Sequence, residues 1–386
     1  MTTNRILIDG FNLGLAQGSG IATYARNLAL AIAGLGLEPQ ILYGPRGPLG
    51  EDNRLNEVAL FEAEPATRPA WREHLLLAQR LARAAASPLG RTAIAVEASG
   101  ELLLGPAAPP ARSLWAARDA FRAANLAFRW ARAFTSLRFA GGAPPEAAHW
   151  TCPLPLTAPG VPNLYTVHDI APLTLPWATL DNKRAFHALL ARLAARADHV
   201  VTVSEHSRGE IIRVFGIDEA RITNTWQAVD IPAAIRARPE TEVAGEVERL
   251  YRLPWRGYFL FFGAIEPKKN LARLIEAYLT ADVTAPLVVV GAPAWLADQQ
   301  TALIRPDLNP DERIRRIGHL PFSMLASLIR GARGVLFPSV YEGFGLPALE
   351  AMQLGAPVLA STGGSLPEVT GEAALLVDPF DVAAIR

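Results

Sequence analysis

The chain has 386 residues, with 37 lysines and arginines against 37 aspartates and glutamates, a formal net charge of zero. At roughly 100–200 residues per domain this length holds about two domains. Half of the residues are hydrophobic, which excludes global disorder, and the balanced charge gives no whole-molecule electrostatic reason to bind nucleic acid. A single cysteine, Cys152, excludes a disulfide framework and an all-cysteine metal site. The opening MTTNRILIDG runs straight into a strand pattern, without the basic-then-apolar order of a secretory leader. No run approaches the roughly 18 uninterrupted apolar residues of a spanning helix, so the expected setting is cytoplasmic.

The run RILID (Arg5–Asp9), ending in a Gly/Asn turn, has the pattern of a buried strand. A loop with Gly14, Gly18 and Gly20 follows, then a helix in which Ile21, Tyr24, Leu28, Ala31 and Leu35 recur at helical spacing. PQILYG, LYTVHDI and HVVTVSE read as further strands, with DNKRAFHALLARLAARA and HSRGEIIRVFG as helices between and after them. The pattern restarts near Tyr258 with YFLFFGAI (strand) and NLARLIEAYLTA (helix), Asn270 standing as its N-cap. PLVVVGA and RIRRIG are then strands, PFSMLASLIRGA a helix, GVLFPS a strand, GLPALEAMQLGA a helix and PVLAST a strand. Alternation of this kind predicts an α/β fold of two doubly wound domains with parallel sheets. The expected boundaries are 1–230 and 257–386, joined by a Pro-, Glu- and Arg-rich linker over 231–256 with a helical stretch at 240–251.

Residues 67–145 fit neither half. They hold 11 arginines and 4 acidic residues, a local charge of +7. Within them Arg112–Phe139 sets Trp115, Phe121, Leu126, Phe128, Trp130, Phe134 and Phe139 among six arginines. That composition reads as a basic helical insertion, either in peripheral contact with a membrane or packed on the first domain with arginine exposed. GPAAPPA (Gly105–Ala111) reads as a loop between its helical pieces.

In doubly wound sheets ligands sit beyond the carboxyl ends of the strands, which singles out three segments. In FPSVYEGFGLPALEAMQLGAPVLAS, Glu342 follows a strand, Gly343-Phe344-Gly345 opens a helix, and Glu350 lies eight residues beyond Glu342. Glycines there admit a ligand to main-chain amides, and the helix N-terminus adds about half a positive charge. Two carboxylates bracketing such a turn suit a sugar nucleotide; equally, acids gather at helix starts for dipole reasons alone. In FLFFGAIEPKKNL, Lys268 and Lys269 follow a strand and could balance a leaving diphosphate, or form an ordinary solvated pair. In YTVHDI, His168 follows a strand of the first half. The other histidines, His74, His149, His187, His199, His206 and His319, lie in helix, loop or strand-start contexts. No spaced set of His, Cys and Asp suggests a metal site, and no Gly-x-Ser-x-Gly elbow is present. Gly20 and Ile21 open the first helix as a second amide-rich N-terminus.

These segments resemble the family 4 retaining glycosyltransferases, whose GT-B fold sets two Rossmann-like domains around a central cleft. Glu342-Gly-Phe-Gly-Leu-Pro through Glu350 is similar to the family's Glu, seven residues, Glu signature, continued by Gly355-Ala-Pro-Val and Ser365-Leu-Pro-Glu368-Val. GAIEPKKNL, GIATYARNL, TVHDI and VTVSEHSRGEI also match family segments, so the resemblance covers most of the chain except Glu51–Pro145. It implies that Lys268 and Lys269 bind the donor diphosphate, that Phe344, Gly345 and Leu346 offer amides to it, and that Glu350 holds the ribose. It implies that Glu342 contacts the donor sugar, that His168 lines the reaction centre, and that Gly318, His319 and Leu320 flank the base. Gly20, Ile21 and Asp169 fall on the donor or acceptor side.

The implied activity is hexosyl transfer, mannose favoured and GDP-mannose the first donor, to a glycan or lipid-linked acceptor of a cell-envelope polysaccharide. It needs no cofactor or metal, and the departing phosphate takes the acceptor's proton on the front face. The alternatives are a nucleotide-sugar 2-epimerase and a non-catalytic sugar-nucleotide binder. Three departures from the family pattern stand out: Ala22-Thr23 after Gly20-Ile21, Lys268 in place of an arginine, and TWQAVD before the linker. The chain also stops at Ala383-Ala384-Ile385-Arg386, where family members continue into a tail that crosses back to the first domain. The expectation is therefore a truncated second domain and a looser domain interface.

Overall fold

The first apolar run forms β1 (Arg5–Asp9), and its neighbours assemble on both sides of it. The computed structural model describes residues 4–14, 20–62, 85, 89–102, 111–309 and 311–386. It has two units: one of Met1–His168, Asn182–Thr202 and Ile211–Asn224, the other of Asp169–Asp181, Val203–Glu210 and Thr225–Arg386.

The first unit holds a ten-stranded sheet. After β1 come β2 (Glu38–Tyr43), β3 (Arg91–Glu97), β4 (Ser113–Ala116), β5 (Thr135–Ala140) and β6 (Ala147–Trp150). β7 (Leu156–Thr157), β8 (Asn163–Thr166), β9 (His199–Thr202) and β10 (Ile222–Asn224) complete it. The spatial order is β10-β9-β8-β6-β1-β2-β4-β3-β5-β7, parallel throughout except where β3 runs against β4. Helix α1 (Gly20–Gly34) buries Tyr24, Ala25, Ala29 and Ile32. Leu35, expected on the buried face, is exposed because the buried stripe runs one position later, through Ala25, Ala29 and Ile32, and the helix ends at Gly34. Helix α2 (Asn53–Phe61), which the sequence reading passed over, is capped by the Asp52 carboxylate on the Arg54 and Leu55 amides.

The basic insertion is not a helical element set apart from the sheet. Its described part is β3, β4, helix α3 (Ala120–Ala131) and β5. Trp115, read as part of a helix, lies in β4 and is fully buried, its indole N–H donating to Gln40 at 2.9 Å. Phe121 and Phe128 fill the buried face of α3, and Trp130 projects from its end. Asp119 and Arg132, both at φ 53°, turn the chain into and out of this helix. Residues 67–84, Gly18 and the run from Gly105 to Pro110 lie outside the described residues. Among the described residues no helix is long and apolar enough to cross a membrane.

The second unit holds six parallel strands: β11 (Phe259–Phe262), β12 (Leu287–Val290), β13 (Ile314–Ile317), β14 (Gly334–Phe337), β15 (Val358–Ser361) and β16 (Leu375–Val377). Their order is β13-β12-β11-β14-β15-β16. Both faces are covered, which explains the unbroken apolar runs FLFF and LVVV. Leu260, Phe262, Val288 and Val290 enter one core with Val335 and Phe337; Phe261, Leu287 and Val289 enter the other with Leu271, Leu274 and Ile275. Those last three belong to helix α7 (Leu271–Thr280).

Ile231–Arg256 is part of this unit. Its helix α6 (Glu240–Tyr251) places Val243 and Val247 in the first of these cores, beside Ile231 and Leu253. The other helices of the chain that matter below are α4 (Lys183–Arg196), α5 (Glu205–Phe215), α8 (Phe322–Gly331), α9 (Leu346–Gln353) and α10 (Leu366–Thr370).

Candidate active site

In the second unit the strand order runs outward from β11 in one direction and from β14 in the other, so these adjacent strands mark the topological switch point. The loops beyond their carboxyl ends are where such a sheet opens a ligand crevice. The loop after β11 carries Lys268 and Lys269 in a 3-10 turn, Pro267–Lys269; the loop after β14 carries Glu342. The Val340 amide donates to the Lys268 carbonyl at 2.8 Å and joins the two loops.

Their side chains meet as well. Lys269 Nζ lies 2.6 Å from Glu342 Oε1, with both residues buried, and 4.9 Å from the centroid of the Phe337 ring. Burial by itself raises the Glu342 pKa, but the Lys269 and Lys268 ammoniums and the hydrogen bond from Lys269 outweigh it. Together they hold the carboxyl below its usual range. Lys268 is partly buried, 3.7 Å from Glu266 Oε1. Burial pulls its pKa down, yet the charges of Glu342, Asp169 and Glu266 together push it up, so it stays an ammonium.

Asp169 therefore belongs electrostatically with Lys268, while its carboxylate accepts the Ala171 amide at 2.9 Å. Tyr341, next to Glu342, donates its hydroxyl to Glu210 and packs edge-on against His206.

The turn before α9 is built for close approach. Gly345 sits at φ 105°, and a Cβ there would come within 2.6 Å of Leu366 Cδ2. No side chain caps this helix, and the amides of Phe344, Gly345 and Leu346 have no acceptor among the described residues. Glu350, on α9, is partly buried; desolvation pushes its pKa up to about 7, against the pull of Lys269. It is thus poised between neutral and charged forms near neutrality, a carboxyl able to donate or accept a hydrogen bond.

Of the remaining positions in this unit, Gly318 and His319 are exposed beyond edge strand β13, and Leu320 packs against the core. Among the described residues none of the three bonds to the Lys269–Glu342 pair. Asn270 is not a side-chain N-cap for α7. It stands at φ 62°, and its amide group donates to the carbonyls of Pro338 (3.0 Å) and Pro379 (2.7 Å). The same loop is tied to β14 through that residue.

In the first unit His168 follows β8. Its Nε2 lies 2.9 Å from the Thr151 carbonyl, so Nε2 carries the proton. The ring meets Tyr24 edge-on at 5.0 Å, and the Tyr24 hydroxyl reaches Thr166 at 3.0 Å. Thr166 Oγ1 also bonds His149 Nε2 at 2.7 Å; burial lowers the His149 pKa to about 4, leaving that ring neutral. On the other side of the Thr151 peptide, its amide donates to Asp9, whose carboxyl burial raises to about 6 despite hydrogen bonds from Thr151 and Phe11. Asp9, visible in the sequence only as the end of an apolar run, and His149, grouped there with the histidines away from strand ends, are both buried in this cluster. Gly20 is exposed and Ile21 partly buried at the start of α1. Cys152 is buried, its thiol pushed up by desolvation, and accepts from Asn12 at 3.5 Å. Among the described residues no group of three or more His, Cys, Asp or Glu is arranged to hold a metal ion.

Two family models match the chain: Glycosyltransferase Family 4 over residues 95–231 and Glycosyl transferases group 1 over residues 256–386. The O-antigen chain mannosyltransferase B of Escherichia coli is 38% identical over 225 residues, 57% of this chain and 58% of that protein. The O-antigen chain mannosyltransferase RfbU of Salmonella typhimurium is 28% identical over 217 residues, 56% of each. The chain thus spans little more than half the length of these curated relatives. Among solved structures, sucrose-phosphate synthase from Thermosynechococcus elongatus matches with a TM-score of 0.64 at 17% identity, over 99% of this chain and 88% of that one. Anabaena HepE in complex with UDP and glucose matches with a TM-score of 0.59 at 15% identity, over 99% and 88%. The structural likeness fixes the fold as α/β with two Rossmann-like sheets.

Proposed function

The chain belongs to the glycosyltransferases of family 4 and group 1, and from that premise we propose that it moves a hexosyl unit, mannose favoured, from a nucleotide-diphospho-sugar to a glycan or lipid-linked acceptor. The observation that carries this reading is the buried Lys269–Glu342 pair at the switch point, beside a helix-opening turn whose amides have no acceptor among the described residues. A departing nucleoside diphosphate accumulates negative charge, and two ammoniums with oriented amides stabilise it without reorganisation. Lys268 and Lys269 receive the diphosphate, Phe344, Gly345 and Leu346 its oxygens, and Glu350 the ribose hydroxyls. Glu342, held ionised by the lysines, accepts hydrogen bonds from the donor sugar, and His168 keeps the part in the reaction that the family resemblance implies for it. The phosphate that leaves takes the acceptor's proton, so transfer proceeds on one face with retention and without a metal.

The names of the two curated relatives support mannose and an O-antigen type of acceptor, and the UDP complex of HepE supports a nucleotide donor. A thermal-shift screen over nucleoside diphosphates and their sugars identifies the base, because stabilisation grows with ligand concentration over Kd; a GDP-selective shift is expected. Glu342→Gln is expected to abolish sugar transfer while GDP still binds. Near-normal turnover by that variant would refute the role given to Glu342. We also propose that Arg112–Phe139 makes a peripheral contact with an anionic membrane through Trp130, which is exposed beside Arg129 at the end of α3. Flotation with anionic liposomes tests it, and Trp130→Ala is expected to abolish co-flotation.

A further inference from the structure

Three consecutive carbonyls of the turn that opens α9 are held by buried serine hydroxyls. Ser365 Oγ lies 2.7 Å from the Phe344 carbonyl and 3.1 Å from that of Glu342, which also accepts the Ser365 amide at 3.1 Å. Ser204 Oγ donates to the Gly343 carbonyl at 2.8 Å, with Ser207 Oγ on the same oxygen at 3.3 Å. Ser204 Oγ in turn accepts the Ser207 amide at 3.0 Å. Ser204, Ser207 and Ser365 are fully buried, so no water competes for these bonds.

In a planar trans peptide the C=O and the next N–H point in opposite directions. Holding the carbonyls of Glu342, Gly343 and Phe344 therefore sets the directions of the amides of Gly343, Phe344 and Gly345. The Gly345 carbonyl, occupied by the amides of Ala348 (3.0 Å) and Leu349 (3.3 Å), does the same for Leu346. These four amides have no acceptor among the described residues. They face away from the serines as a run of oriented donors, the arrangement that binds anions through the main chain.

A second layer holds the serines. The Glu368 carboxylate accepts the amides of Glu205 (2.9 Å) and His206 (3.1 Å) and the indole N–H of Trp226 (2.8 Å). It thereby caps the start of α5, where Ser204 immediately precedes the helix and Ser207 lies in its first turn.

We propose that Ser365 and Ser204 are positioning residues that hold the Gly343–Leu346 turn with its amides turned outward to receive an anionic diphosphate, and that Glu368 supports Ser204 from behind. This rests on the reading of the turn as a diphosphate cradle. Without the hydroxyls the peptide planes at 343–344 and 344–345 are free to rotate, and a rotated plane presents a carbonyl oxygen to the anion where a donor stood. Neither serine touches substrate.

The test is calorimetric binding of inorganic pyrophosphate and of GDP to the full chain, for Ser365→Ala, the double variant Ser204→Ala/Ser207→Ala, and Lys269→Ala, with thermal unfolding of each. Ser365→Ala is expected to lose about tenfold in pyrophosphate affinity, since a charge-assisted donor becomes misdirected. The serine double variant is expected to lose a similar factor, and Ser204→Ala alone less, because Ser207 still reaches the Gly343 carbonyl. A purely structural role lowers the unfolding temperature but leaves the affinity of the folded fraction unchanged, and that result in both serine variants overturns the proposal. Unchanged pyrophosphate affinity in Lys269→Ala overturns the cradle itself. A loss in Lys269→Ala with none in the serine variants removes only the positioning role.

Discussion

Lys269 and Glu342 are worth more as partners than as individuals. A buried ion pair recovers its desolvation cost only through close geometry, and removing one member strands the other charge in a dry site. Lys269→Met is therefore expected to destabilise the chain by about 3–5 kcal/mol in urea unfolding. The double variant Lys269→Met/Glu342→Leu should lose clearly less than the sum of the single changes; simple additivity would show that the pair is not coupled. Glu350 makes the opposite case. Its carboxyl titrates at about 7 in the folded chain against 4.5 as a free group, so the folded state binds the extra proton between those values. The stability it contributes is fully present below 4.5 and is lost as pH rises through 7. Glu350→Gln is accordingly expected to stabilise the protein at pH 8 by about 1–2 kcal/mol after solvent screening, and hardly at all at pH 4. A pH-independent difference would place the effect elsewhere.

At the scale of elements, what the sequence makes legible follows from periodicity. The apolar runs FLFF and LVVV and the three- and four-residue spacing of α7 announce β11, β12 and the helix between them, and the strand-end rule then picks out Lys269 and Glu342. What it hides are contacts between loops far apart in the chain. Ser204, Ser207 and Ser365 stand in segments that resemble the family, but nothing in their local pattern marks what they hold, because their partners lie 139, 136 and 21–23 positions away. The arginine-rich stretch misleads for a different reason. Its breaks fall at Asp119 and Arg132, left-handed residues that are neither glycine nor proline, so a strand–helix–strand unit reads as one helix. Asn270 likewise looks like a cap until its side chain is seen to bridge two carbonyls. The loop after β15 offers a direct test of this packing. Gly364 sits at φ 64°, and a Cβ there would meet the Glu342 carbonyl oxygen at 2.3 Å. Gly364→Ala is expected to cost about 2 kcal/mol or more in denaturant unfolding, and to weaken GDP binding because the same contact shapes the Glu342 turn.

For the whole molecule, the units do not follow chain order. Asp169–Asp181 and Val203–Glu210 group with the second unit, and the segment read as a linker supplies Ile231, Val243, Val247 and Leu253 to its core. A fragment of residues 257–386 lacks that apolar layer and is expected to show no cooperative thermal transition by circular dichroism. Residues 225–386 keep the layer and are expected to show one, at a lower temperature than the full chain because Ser204 and Ser207 are gone. A cooperative transition in the shorter fragment would mean that α6 is dispensable.

The bond from the Val340 amide to the Lys268 carbonyl has one more consequence. Because main chain, and not side chain, ties the lysine loop to the glutamate loop, trimming Lys269 to alanine should leave a preformed berth opposite Glu342, sized for a small cation. Added ethylammonium should then restore part of the lost turnover in Lys269→Ala, with saturating dependence on amine concentration, while the uncharged isostere propane should restore none.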